Sequence, residues 1–213
     1  MTVSLFALQV ADPADAWTRC GFDVDADGVC SVGGVAIRLL GRERGTGIVG
    51  WSLGGLPPES PDELDGIPTT RSDSPGAAPG AHPNGVTAID HVVLMSPNLQ
   101  RTVTSLAAIG VHPRRERDAE LGGRPIRQIF FRLGDVILEV VGSRDSAGAD
   151  VSRLWGITYV VTDIDATAAF FGDLTAPVKD AVQPGRRITT LRNLELGMSV
   201  RTAMISAPYP RTS

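Results

Sequence analysis

Two residues of this 213-residue chain stand where their chemistry is conspicuous. His91 sits near the start of an apolar segment, residues 89–95, and Glu139 interrupts another, residues 136–141. If both segments are strands, alternation puts His91 on the face of Val93 and Met95, and Glu139 on the face of Ile137 and Val141. A carboxylate inside an apolar strand costs several kcal/mol if it is left unpaired. Glu139 therefore needs a metal, an arginine or a ligand, and Arg127 is the arginine partner the sequence offers. His91 reads either as a ligand-binding group or as a satisfied core histidine. Arg127 and Gln128 lie together on a predicted strand, and Arg186 and Arg187 follow the Pro184-Gly185 turn. Arginine forks in such places grip carboxylates or phosphates, or simply face water. Tyr159, Trp155 and Phe131 are candidates either for an aromatic wall or for plain core.

Other chemistries are excluded. Gly33-Gly34, Gly54-Gly55 and Gly122-Gly123 are followed by no Lys-Ser/Thr, so none is a phosphate loop, and there is no Gly-x-Ser-x-Gly elbow. Cys20 and Cys30 have neither zinc spacing nor a CxxC pattern and read as reduced thiols. His82, beside Pro83, and His112 lack ligand spacing, and residues 114–117 (Arg-Arg-Glu-Arg) read as a solvated loop. With a net charge of −4 the chain has no broad basic surface for nucleic acid. No apolar run approaches the ~18 residues of a membrane span, and residues 1–4 lack the basic start of a secretion signal. The expectation is a cytoplasmic protein. Lys179 is the single lysine against 19 arginines, which points to a GC-rich bacterial genome.

The elements that must position these residues repeat along the chain. Three segments open with a short apolar strand, continue through a polar capping cluster and a short helix, and reach a glycine. The first runs from residues 4–10 through Asp12-Pro13 to Gly21, with Asp12 as the helix cap and Pro13 as its first residue. The second runs from residues 89–95 through Ser96-Pro97-Asn98 to Gly110, and Leu99, Val103 and Leu106 make one helical stripe. The third runs from residues 156–161 through Thr162-Asp163 to Gly172. Turn signals at Asp27-Gly28, Gly134-Asp135 and Pro184-Gly185 then separate further strands. The chain divides into a unit over 1–55, a Pro/Gly-rich connector over 56–83, and units over 84–142 and 150–207. The fold class is α+β, with repeated β-α-β-β-β units forming a curved mixed sheet. Each unit exposes one sheet face and needs a partner. With three units visible, the first is expected to join the sheet edge or to pair with a second chain as a homodimer.

This unit, with His-Val-Val-Leu opening one copy at His91 and Leu-Glu-Val-Val closing it at Glu139, resembles the vicinal oxygen chelate superfamily of glyoxalases, extradiol dioxygenases, fosfomycin-resistance enzymes and bleomycin-binding proteins. The likeness is best over 85–142, fair over 155–207 and weak over 3–53. It implies a histidine on a unit's first strand and a carboxylate on its last, two units together holding a divalent metal such as Zn, Ni, Mn or Fe that polarises substrate oxygens. His91 and Glu139 match those positions, with Glu139 also the catalytic candidate. The other units depart from the pattern. Leu5 and Gly156 fall at the histidine position, and Trp51 and either Ala203 or Met204 fall at the carboxylate position. Two readings stay open: a metal-assisted lyase, isomerase or oxygenase, and a metal-free protein that sequesters a small molecule or drug. Either would bind an oxygen-rich small molecule among His91, Gln128, Glu139 and Tyr159, with Arg127 or Arg186 at the rim. Such a site should open onto a cavity of about 300 Å³ or more.

Overall fold

The computed structural model describes residues 2–73, 78, 80–144 and 147–208. Pro75 and Pro79 of the connector lie outside the described residues.

The N-terminal third forms its own sheet. It contains β1 (Ser4–Val10), α1 (Ala14–Arg19), β2 (Val29–Val32), β3 (Val35–Leu39), β4 (Ile48–Gly54), β5 (Glu63–Leu64) and β6 (Ile67–Arg71). The strand order is β2-β3-β1-β4-β6-β5. β1 and β4 pair antiparallel at the centre, with β3 parallel to β1 on one side and β6 parallel to β4 on the other. The sheet is thus two reduced units back to back: β1-α1-β2-β3, and the helix-free β4-β5-β6. This corrects two expectations. The connector contributes strands β5 and β6, and the first unit does not join the edge of the other sheet. Asp12 does not cap α1. Pro13 is the N-cap residue, and the buried Asp12 carboxylate instead takes hydrogen bonds from Trp17 Nε1 (3.1 Å) and Ser199 Oγ (2.6 Å). The β2–β3 hairpin turns at Gly33-Gly34, both with positive φ, and not at Asp27-Gly28, which precedes β2.

The second sheet carries the two full units. The first contains β7 (Val86–Met95), α2 (Leu99–Ala108), β8 (Arg115–Leu121), β9 (Arg124–Leu133) and β10 (Val136–Gly142). The next contains β11 (Arg153–Val161), α3 (Ile164–Phe171), β12 (Lys179–Asp180), β13 (Arg187–Thr190) and β14 (Arg201–Ser206). The order β12-β13-β14-β11-β7-β10-β9-β8 joins the units through the antiparallel pair β7–β11. In each unit the last strand lies parallel to the first, giving one curved mixed sheet. Asn98 caps α2 by accepting the Arg101 N–H at 3.1 Å, and Asp163 caps α3 by accepting from Asp165 and Ala166. The segment 115–121, read as a solvated loop at its start, is the edge strand β8.

One face of this sheet is core. Ile89, Val92 and Leu94 of β7, Leu138 and Val140 of β10, and Ile157, Tyr159 and Val161 of β11 are buried together with the N-terminal sheet. An aromatic run links the two layers: Trp17 and Phe22 are 4.9 Å apart by ring centroids, and Phe22 and Tyr159 are 5.2 Å apart. His82 packs edge-on to Phe22, accepts the Asp23 N–H at Nδ1 (3.0 Å) and points Nε2 at Ser31 O (3.0 Å). The β5–β6 turn is tied down by Asp65, whose carboxylate takes hydrogen bonds from Arg101, Thr102 and Ser152. No helix among the described residues is long and apolar enough to cross a membrane.

Candidate functional site

The other face of the eight-stranded sheet carries a continuous polar chain. It begins with a backbone irregularity. Between His91↔Thr158 and Ile89↔Tyr159 the pairing of β7 with β11 slips, leaving Asp90 as the extra residue of a bulge. A bulge lets two consecutive side chains lie on one side of a strand. Asp90 and His91 therefore both face outward, while Ile89 returns to the core. The parallel register with β10 sets Ile137 beside His91 and Glu139 beside Val93, so Glu139 shares that face. β9 adds Gln128 and Phe130, and β8 adds Arg117, the cross-strand partner of Gln128.

The contacts run in sequence across the sheet. Arg117 Nε donates to Gln128 Oε1 at 2.5 Å, and its guanidinium lies 5.6 Å from the Phe130 ring centroid. Arg117 can only donate, so it fixes the Gln128 amide with its nitrogen toward Glu139, and Gln128 Nε2 donates to Glu139 Oε1. Glu139 Oε2 lies 3.5 Å from His91 Nε2. His91 Nδ1 lies 2.8 Å from Asp90 Oδ2, and Arg186 Nη1 donates to Asp90 Oδ1 at 2.5 Å. Arg186 Nε holds Ser206 O at 2.7 Å. The side chains of His91, Glu139 and Asp90 keep 14%, 12% and 9% of their surface exposed, so the chain lies just beneath the open face. Burial opposes ionisation of Asp90, but hydrogen bonds from His91 and Arg186 outweigh it and hold the carboxyl below its usual range. An ionised carboxylate only accepts, so Nδ1 of His91 carries the hydrogen and Nε2 is the atom turned to Glu139.

The structure thus brings His91, Gln128, Glu139 and Arg186 together and leaves two predicted residues out. Tyr159 is fully buried against Phe22 on the core face, because Thr158 is the residue of β11 that pairs with His91, and alternation turns Tyr159 to the other side. Burial pushes its phenol well above the usual range. Arg127 does not pair with Glu139. Its register partner is Asp118, which accepts from Arg127 Nε at 3.2 Å, and alternation turns it away from Gln128. Two residues were missed, Asp90 and Arg117. Asp90 adjoins His91 in sequence, but strict alternation assigns it to the opposite face. Two clefts open away from these residues. A cleft of about 480 Å³ is bordered by Thr162, Asp163, Asp180, Arg187 and Ser206, and another of about 440 Å³ by Met95, Ser96, Pro97 and Arg153. Neither is lined by His91 or Glu139.

The second unit answers this chemistry with blanks. Matching the caps Asn98 and Asp163 sets Gly156 against His91 and Trp155 against Asp90. Trp155 is likewise the extra residue of a bulge, between Leu154↔Leu94 and Gly156↔Val93. The parallel registers His91↔Ile137 and Gly156↔Arg201 then set Ala203, not Met204, against Glu139.

This donor set does not fit a resident divalent metal. It holds one imidazole and one carboxylate, the Gln128 oxygen is turned to Arg117, and both Asp90 oxygens are engaged. Among the described residues no group of three His, Cys, Asp or Glu could hold a metal ion.

The architecture is that of the vicinal oxygen chelate fold. A triple mutant of 4-hydroxymandelate synthase from Streptomyces coelicolor superposes with a TM-score of 0.66 over 100% of this chain and 95% of that chain, at 15% identity. A fusion protein of a xylose isomerase-like TIM barrel with 4-hydroxyphenylpyruvate dioxygenase superposes with a TM-score of 0.61 at 14% identity, over 99% of this chain. The chain spans 50% of that fusion protein's length. No protein-family model and no curated protein matches the sequence.

Proposed function

We propose that the chain binds a small, oxygen-rich organic molecule on the open face of its eight-stranded sheet. The observation that carries this reading is the convergence of Asp90 and His91 from β7, Glu139 from β10 and Gln128 from β9 into one hydrogen-bonded chain beneath that face. A structural protein gains little from aligning two carboxylates and an imidazole at a half-open surface. A binding protein gains oriented donors and acceptors beside apolar walls, here Phe130, Ile137 and Val93. Arg186 is the rim residue this reading keeps, and Arg127 drops out of it.

The donor set favours the metal-free form. A metal-assisted lyase, isomerase or oxygenase using Zn, Ni, Mn or Fe would need donors that Gly156 and Ala203 do not supply. Elemental analysis after dialysis without chelator separates the two forms. Near-stoichiometric metal that is lost in His91→Ala restores the metal-assisted reading. Binding itself is tested by a thermal-shift screen of small hydroxy acids, keto acids and polyols, repeated on Glu139→Gln. The expected outcome is hits whose stabilisation disappears in the variant. A screen whose hits stabilise both proteins equally removes this face as the site.

A further inference from the structure

Asp90 takes no part in the ligand set the fold implies, yet it is the most firmly held member of the chain. One oxygen receives Arg186 Nη1, the other receives His91 Nδ1, and Arg186 is in turn fixed to the Ser206 carbonyl. A carboxylate locked in this way dictates the imidazole's tautomer and ring orientation, as carboxylate partners of functional histidines do. The other ring nitrogen, Nε2, then presents a lone pair 3.5 Å from Glu139 Oε2, an oxygen that Gln128 leaves free because it donates to Oε1. In the Nδ1–H form of His91 the two facing atoms are both acceptors. What completes such a pair is a hydrogen-bond donor brought by the ligand. The geometry suits a hydroxyl, whose single hydrogen can be shared between a nitrogen and an oxygen.

We propose that Asp90 is a positioning residue that holds His91 in its Nδ1–H form. His91 Nε2 and Glu139 Oε2 then act together as an acceptor pair for a ligand hydroxyl, in the place where the fold's metal would sit. This deepens the reading of the open face as a binding site and narrows its ligand to a hydroxyl-bearing molecule. Arg186 braces Asp90. Among the described residues its Nη2 is buried without a hydrogen-bond partner, so its geometry rests on the Nη1 and Nε contacts.

The test needs no ligand, so its failure is separable from a failed binding screen. The full chain, labelled with ¹⁵N at its 3 histidines, is recorded by long-range ¹H–¹⁵N correlation above the usual titration range of imidazole. His91→Gln identifies the His91 signals by their loss. The expected result is a protonated Nδ1 and an unprotonated Nε2. Asp90→Asn should shift the His91 population toward the Nε2–H form while the His82 signals stay in place, and Asp90→Glu should restore part of the original pattern. If Asp90→Asn does not fold, Arg186→Gln, which frees Asp90 without touching the ring, should give the same shift in smaller degree. A wild-type His91 that carries its hydrogen on Nε2 overturns the proposal. So does one with hydrogens on both nitrogens, or a tautomer indifferent to these changes. Titration with Co²⁺ is the second arm. Stoichiometric broadening of the His91 signals puts a metal in the gap and overturns the acceptor pair, whereas unaffected signals support it.

Discussion

The two halves of the eight-stranded sheet share one topology and differ almost completely in chemistry. Residues 84–142 place Asp90, His91 and Glu139 on the open face. Residues 150–207 place Trp155, Gly156 and Ala203 at the matching positions. The core faces diverge less, the same match setting Leu94 against Tyr159 and Leu138 against Thr202. Leu94 and Leu154 meet across the seam, and both first strands bulge at the matching position. Burial therefore constrains the halves alike, while the open face is free to specialise. Gly156 shows that the difference is built into the backbone. A Cβ there would lie 2.8 Å from Arg201 O and 3.0 Å from Arg201 Cβ, so the position that carries histidine in one half has no room for a side chain in the other.

Several changes probe this contrast. Leu94→Ala attacks what the halves share and has the largest expected effect, a loss of about 3 kcal/mol in urea unfolding. A loss below ~1 kcal/mol would mean that the seam does not hold the halves together. Gly156→Ala and His91→Ala strike the matching positions. The glycine change should cost about 1–3 kcal/mol through overpacking, whereas removing the partly exposed imidazole should cost about 1 kcal/mol. The order of the two unfolding midpoints is the readout, and a reversed order would mean that Gly156 tolerates a side chain and that the halves diverge by choice of residue alone. Glu139→Gln should leave stability within ~1 kcal/mol, since an amide can still accept from Gln128, and should lose the ligand-induced thermal shift. Ala203→Ser, in the opposite half, should leave that shift in place.

The smallest effect lies outside both halves. Burial pushes the His82 imidazole below its usual value, because its neutral form is the one buried against Ser31 and Asp23. The unfolded chain therefore takes up this proton first. The stability His82 contributes is intact above the unfolded value near 6.5 and is lost as pH falls from there through the folded value. Urea midpoints at pH 7.5 and 5.5 should differ more in the native sequence than in His82→Asn. An equal difference would place the acid sensitivity elsewhere.

The sequence by itself determined a good deal. Strand, cap, helix and glycine signals depend on neighbours a few residues apart, so the α+β class, its curved mixed sheet and the capping clusters at 96–98 and 162–163 were legible. What it did not determine was whatever depends on pairing between distant strands. The β7 bulge moved Asp90 beside His91, and a single inserted residue in a ladder leaves no local trace; the pairing of Thr158 with His91 left Tyr159 on the core face. Cross-strand register gave Arg127 to Asp118 and Gln128 to Glu139. The Pro-rich connector became strands β5 and β6 only because β4 offered an unpaired edge, and Asp65 gained three side-chain donors from α2 and residue 152 to secure the turn. Local chemistry fixes which residues can form an element. Only the packed chain fixes which of them meet, because hydrogen-bond register and burial are properties of pairs far apart in sequence.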